Sequence, residues 1–267
     1  MQIGFLVLLF ILGACLGSFL CCQARRLHLK STHKKPLGPR SVCLKCHYQL
    51  KWYDNLPIIS WLALRGKCRK CRRPIGAAEL FSEIGIAFSL LFLGTTINPL
   101  TATPIEWAIF ATALVLILAL GFLAIYDGIY GELPNFCLTI SIICAIIVLA
   151  LKEWSVLSYS AFSPELIAKP LLSVLILGGV YLVLYLLSKG KWVGDGDWLL
   201  GTAIAIALAD PWLALITLFL ANLLASFIMY PLAKGQKQQK IHFGPFLVAA
   251  FIITYSFSDF FFTLLSF

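Results

Sequence analysis

Leu114-Val115-Leu116-Ile117-Leu118-Ala119-Leu120-Gly121-Phe122-Leu123-Ala124-Ile125-Tyr126-Asp127 is a run of thirteen apolar residues closed by one carboxylate. Its texture suits the hydrocarbon of a bilayer, where a span takes about 20 mainly apolar residues and an acid is costly enough to need a reason. The same texture fills the 267-residue chain: 60% of residues are hydrophobic and 12% charged, against about 25% charged in a soluble domain. The composition predicts an all-α membrane protein of about eight transmembrane helices. They fall near residues 3–23, 79–98, 105–126, 135–151, 168–188, 198–209, 212–230 and 243–265. The opening run Ile3 to Cys22 precedes Arg25 and Arg26 and has no small-residue cleavage site after it, so it reads as a retained span and not a secretory signal.

The charge decides orientation. Of 21 Lys and Arg residues, fourteen lie between Ala24 and Ala77. Lys189, Lys191, Lys234, Lys237 and Lys240 fall on the same side, and only Lys152 and Lys169 on the other. Nineteen against two is a positive-inside signal that predicts a cytoplasmic first loop and both termini outside. The net charge of +9 is thereby a topology device and an attraction to membrane lipid, with no nucleic acid partner expected. The predicted domains are a first transmembrane helix over 1–23, a cytoplasmic loop domain over 24–77, and a transmembrane domain over 78–267.

Nine cysteines divide by environment. Cys15, Cys21, Cys22, Cys137 and Cys144 lie in apolar runs and read as core. Cys43-Leu44-Lys45-Cys46 and Cys68-Arg69-Lys70-Cys71 are two C-x-x-C knuckles separated by twenty-one residues, near the spacing of structural four-cysteine zinc sites. Four thiolates leave no open position for catalytic water, so the expected metal has a folding role. Free or redox-active thiols are the bland alternative, and His47 is a possible substitute ligand.

Sorting the twelve acids leaves two clusters near one membrane face. Glu153, Glu165, Asp210 and Asp259 belong to outward segments, Asp54 to the cysteine loop, and Glu79, Glu83 and Glu106 to span starts where interfacial placement is cheap. Asp127 and Glu132 follow span three; Asp195 and Asp197 follow span five within Val193-Gly194-Asp195-Gly196-Asp197-Trp198. The two glycines permit close approach of another chain. Two aspartates held close share a proton, so one can activate water while the other polarises a peptide carbonyl. On the residues alone, catalysis, proton-coupled transport and simple helix capping all remain open.

Taken together, the motifs resemble those of the bacterial prepilin peptidases, the bifunctional leader peptidases and N-methyltransferases of type IV pilus and type II secretion systems. The resemblance runs through Gly17-Ser18-Phe19-Leu20, Arg26-Leu27, the first knuckle, Trp52-Tyr53-Asp54-Asn55-Leu56-Pro57-Ile58-Ile59-Ser60-Trp61, and Arg65 to Cys71. It continues in Asp127 with Leu133-Pro134, in Gly194-x-Gly196-Asp197 and in Phe243-Gly244-Pro245-Phe246. It implies a membrane aspartyl protease that cleaves type IV prepilins or pseudopilins after a glycine, then methylates the new amino terminus with S-adenosylmethionine. The catalytic pair it implies is Asp127 and Asp197, with Asp195 at the variable position; Glu83 matches a family glutamate. The chain departs from the family at Cys21-Cys22, Ala77-Ala78, Asn135 and Leu199, none of which removes a catalytic carboxylate. No residue pattern points to a methyl-donor site.

Overall fold

The computed structural model describes residues 2–32, 41–43, 45–157, 163–190, 193–233 and 242–265. Leu44, Lys191, Lys234, Lys237 and Lys240, on which parts of the sequence reading rest, lie outside the described residues, as does the side chain of Asp259. Among the described residues the architecture is helical throughout, with two isolated bridges, Val42 with Gln49 and Lys67 with Pro74, as its only extended pairings. The chain forms two compact units, Met1–Pro99 and Leu100–Phe267.

In the first unit, α1 (Gln2–Ser31) packs along α3 (Ala77–Thr95), with a short α2 (Ile59–Ala63) in the cysteine segment between them. The seam is made by small residues. A Cβ on Gly13 would lie 2.7 Å from Ala87 Cα, and one on Gly17 would lie 2.4 Å from Ser82 O. With lipid as solvent there is no hydrophobic drive between helices, so backbone approach through a small-xxx-small pair supplies the packing.

The second unit holds α4 (Pro104–Tyr130), α5 (Asn135–Leu157), α6 (Glu165–Val174), α7 (Val180–Ser188), α8 (Asp195–Leu208), α9 (Pro211–Ala233), α10 (Gly244–Ser256) and α11 (Ser258–Leu265). Thr103 and Glu106 form a capping box at the start of α4, Pro104 occupies its first position, and Gly131 ends it at φ 70°. Each of these devices satisfies a backbone group that the helix end leaves unpaired. Helix α6 runs through a π-turn at Leu175–Gly179 into α7 as one apolar stretch of 24 residues. There Gly178 lets α8 approach so closely that a Cβ would meet Thr202 Oγ1 at 2.4 Å.

Among the described residues, six helices are long and apolar enough to cross a membrane. The sequence prediction of eight differs at two places. The expected span at 198–209 is α8, fourteen residues with two acids in its first turn. It contacts α5, α6, α7 and α10, and its residues Leu200, Ala203, Ile204 and Ala205 are fully buried. A helix surrounded by protein needs neither full bilayer length nor a purely apolar sequence. The expected span at 243–265 divides at Phe257 into α10 and α11. Large apolar side chains such as Leu8, Val115, Ile143 and Phe219 point outward from the long helices, as a lipid-facing exterior requires.

If the glycine seam holds α1 to α3, Gly17→Val should destabilise the protein by about 1–3 kcal/mol through overpacking. Gly4→Val, on the same helix with nothing within 4 Å, should leave it nearly unchanged. Unfolding in detergent micelles followed by circular dichroism compares the two.

Candidate functional sites

Asp127 sits in the last turn of α4, inside the helix and not just after it as the sequence suggested. Its backbone oxygen accepts from Gly131 N at 2.7 Å, so the left-handed glycine cap fixes the turn that carries it. The side chain is 5% exposed, and its Oδ2 accepts the Gly244 N–H at 2.9 Å. A Cβ on Gly244 would stand 2.8 Å from that oxygen, so glycine is what allows the start of α10 to reach the carboxylate. An N–H at a helix start is an apt partner for negative charge.

Asp197 is the third residue of α8, is 7% exposed, and takes the Gly194 N–H on Oδ2 at 2.8 Å. Its neighbour Asp195 is exposed. Helix periodicity explains the difference: residues two apart point away from one another, so only one of the pair faces inward. A Cβ on Gly196 would lie 2.6 Å from Leu133 Cβ, which brings the start of α8 against the link between α4 and α5. Asp127 and Asp197 are near enough to interact electrostatically. Chemically, two buried carboxylates, each held by one backbone donor, form a unit that can hold and pass a proton.

Sequence reasoning on the acids alone missed the residues that frame this pair. Gly244 was visible only through the resemblance in the tail motif. His242 Nδ1 lies 3.3 Å from Gly128 O. Tyr181 is buried, takes Asn222 Nδ2 at 3.3 Å on its hydroxyl, and packs against the Phe243 ring at 5.3 Å. Single tyrosines and histidines in an apolar sequence carry no positional signal that would have found them.

The four knuckle cysteines converge in the first unit, with all sulfurs within 4.8 Å of one another. Cys43 Sγ lies 3.9 Å from Cys71 Sγ, and Cys46 Sγ lies 4.0 Å from Cys68 Sγ. A tetrahedral ion with metal–sulfur bonds of about 2.3 Å requires sulfur–sulfur edges of about 3.8 Å. A disulfide would need about 2.05 Å, and all nine cysteines are free. The spacing is thus that of a metal site. The knuckles are built alike: His47 N donates to Cys43 O and Arg72 N to Cys68 O, both at 2.9 Å, with His47 and Arg72 both at positive φ. His47 therefore shapes a turn and stands outside the ligand cluster.

Burial alone would raise the Cys43 thiol, but the Cys46 and Lys45 amides together with the Cys46 and Cys68 sulfurs outweigh it and bring Cys43 to about 7. At Cys46 the Tyr48 amide favours the thiolate, yet burial and the neighbouring sulfurs prevail and push it up to about 11. Crowded sulfurs cannot all ionise near neutrality without a cation among them. Asp54 fastens the intervening segment: it takes Arg69 Nε at 2.8 Å and Lys51 N at 3.2 Å, while Arg69 also lies over the Tyr53 ring.

The fold and sites define a multi-pass helical membrane protein with a buried aspartate pair and a separate four-cysteine metal site. Residues 11–97 match the family described as Bacterial Peptidase A24 N-terminal domain. Three similar proteins are all prepilin leader peptidase/N-methyltransferases. The relative from Myxococcus xanthus is 44% identical over 30% of this chain and 23% of its own length. That from Pseudomonas putida is 26% identical over 57% and 63%, and that from Dichelobacter nodosus 30% identical over 82% and 71%. The match to the first two spans less than two thirds of those relatives' length. No solved structure matches the chain. By the Dichelobacter nodosus relative, the chain belongs to the prepilin leader peptidase/N-methyltransferase family, and the transporter reading finds no support among its relatives.

Because metal binding needs thiolates, acidification works toward release. A chelator should strip the ion faster at about pH 6 than at about pH 8. Stripping should open the segment between Val42 and Pro74 to protease, read by mass spectrometry of the fragments.

Proposed function

We propose that the chain is an endopeptidase of the bacterial inner membrane. It removes the leader of type IV prepilins or pseudopilins after a glycine and then methylates the exposed amino terminus. The observation that most directly supports this is the pair of buried carboxylates, Asp127 and Asp197, each accepting one backbone N–H and lying within electrostatic reach of the other. The family membership and the relatives' shared description point the same way.

In this reading Asp127 and Asp197 are the catalytic residues. The ionised member takes a proton from a water molecule, which attacks the scissile carbonyl. The protonated member donates a hydrogen bond to that carbonyl and then gives its proton to the departing nitrogen. Gly244 and Gly194 orient one oxygen of each carboxylate, leaving the other for water and substrate. No covalent intermediate on the protein is required.

The ion of the four-cysteine site is zinc, which accepts a closed tetrahedral thiolate shell and holds the 24–77 domain in shape. The basic residues of that segment support a cytoplasmic position for it and for both aspartates, with both termini outside. The span over 1–23 and the region over 78–267 supply the membrane part, the latter carrying the peptidase chemistry. S-adenosylmethionine, when bound, supplies the methyl group.

Asp127→Asn and Asp197→Asn should each lower cleavage of a purified prepilin by roughly 10²–10⁴-fold or more while leaving the zinc content unchanged. Asp195→Asn should be mild. Mass spectrometry of the product reads leader removal and methyl addition in one assay. Normal cleavage by either of the first two variants would refute the assignment.

A further inference from the structure

The N–H that Asp127 accepts comes from Gly244, 117 residues further along the chain. The register of that contact has little slack. Pro245 follows Gly244 in the first turn of α10, and proline has no N–H, so a slip of one residue would offer the carboxylate a position without a donor. Something outside α10 has to hold Gly244 in place, and the two residues before it, His242 and Phe243, are set to do so.

His242 reaches to the end of α4. Its Nδ1 lies 3.3 Å from Gly128 O, and because a carbonyl only accepts, this hydrogen bond puts the proton on Nδ1. Gly128 follows Asp127 in the last turn of α4, where the final carbonyls of a helix have no partner within it. A histidine side chain is a fitting donor to such a helix end. The imidazole also lies against the cap, since a Cβ on Gly131 would stand 2.9 Å from His242 Nε2. Gly131 therefore serves twice, by its left-handed turn at φ 70° and by leaving room for the ring. Pro245 joins the same contact from α10, with its Cγ 3.3 Å from the place of a Gly128 Cβ. Between them, Phe243 packs its ring on the buried Tyr181 of α7, with centroids 5.3 Å apart.

We propose that His242 is a positioning residue for the cleavage reaction: its hydrogen bond to Gly128 O fastens the start of α10 to the end of α4 and so keeps the Gly244 N–H on Asp127. The inference rests on the reading of Asp127 as a catalytic carboxylate given above. His242 itself touches no reacting atom. It acts through Gly244, which engages one oxygen of Asp127 and leaves the other for water and substrate. Phe243 on Tyr181 restrains the same three residues against a second helix. Losing the imidazole donor lets the start of α10 shift and loosens the placement of Asp127. The chemical step then slows, because catalysis is sensitive to misplacements of about 1 Å. Binding of the substrate is left largely as it was.

The test is cleavage of a purified prepilin by the full-length protein in nanodiscs. Wild type is compared with His242→Phe, which keeps a ring without a donor, and with His242→Asn, whose Nδ2 stands as many bonds from the backbone as Nδ1. His242→Phe should lower kcat by about 10-fold, the upper scale of one neutral hydrogen bond, with KM little changed. His242→Asn should recover most of that loss, which a role in ring packing alone would not allow. Hydrogen exchange read by mass spectrometry should quicken in the first turn of α10 in His242→Phe and return toward wild type in His242→Asn. Should His242→Phe fail to insert, His242→Ala, which removes the ring without added bulk, takes its place with the same expectation. A loss carried by KM, no rescue by asparagine, or unaltered exchange would overturn the assignment. If wild type cleaves and the variants match it, only the role of His242 falls. If wild type leaves the prepilin whole, the function proposed above falls and the positioning role falls with it.

Discussion

Burying a carboxylate in an apolar helical bundle is the constraint around which the second unit is organised. Without partners, such a group would cost several kcal/mol. Asp127 and Asp197 are both at least nine-tenths buried, and each receives a single N–H from an adjacent glycine. The donor to Asp197 is local and the donor to Asp127 is long-range. Gly131 turns the chain out of α4 just after Asp127, and Gly194 precedes α8 in an extended conformation that directs its N–H back to Asp197. Gly244 carries no Cβ to keep α10 away. In the proposed chemistry, partial satisfaction matters. A carboxylate with every lone pair occupied would be inert, whereas one anchored oxygen leaves the other free to exchange protons.

The first unit solves a different problem. Its polar segment is too short to bury a sizeable core, and residues such as Trp52, Ile59 and Leu62 remain exposed. Four sulfurs at metal-binding separations suit a tetrahedral ion, and binding free energy at such a site is folding free energy. The Asp54–Arg69 pair ties the intervening turn to the second knuckle, and the Arg25–Glu79 pair joins α1 to α3.

Much of this was legible in the sequence because hydropathy and spacing report it directly. The long spans follow from apolar length, and the metal site follows from two C-x-x-C knuckles whose sulfurs meet at tetrahedral separations. Helix α8 was legible in position but not in character. Fourteen residues with two acids look like a truncated span, and only its enclosure by other helices shows why that is sufficient. The π-turn at Leu175–Gly179 has no linear signature, because it follows from how α8 seats against Gly178. Glu83 was read as interfacial. Its burial depends on Ile58, twenty-five residues away, adopting a backbone conformation that no propensity would assign it. Sequence reports periodicity and composition well; it does not report the long-range donors that decide what a buried acid can do.

The central claim is that the side chains at 127 and 197 share one small pocket. Short-span chemical crosslinking in native membranes tests it directly, using Asp127→Cys with Asp197→Cys in a background lacking Cys15, Cys21, Cys22, Cys137 and Cys144. The account predicts rapid crosslinking of this pair and little when Asp195→Cys replaces Asp197→Cys. Equal yields for the two pairs, or none for the first, would contradict it.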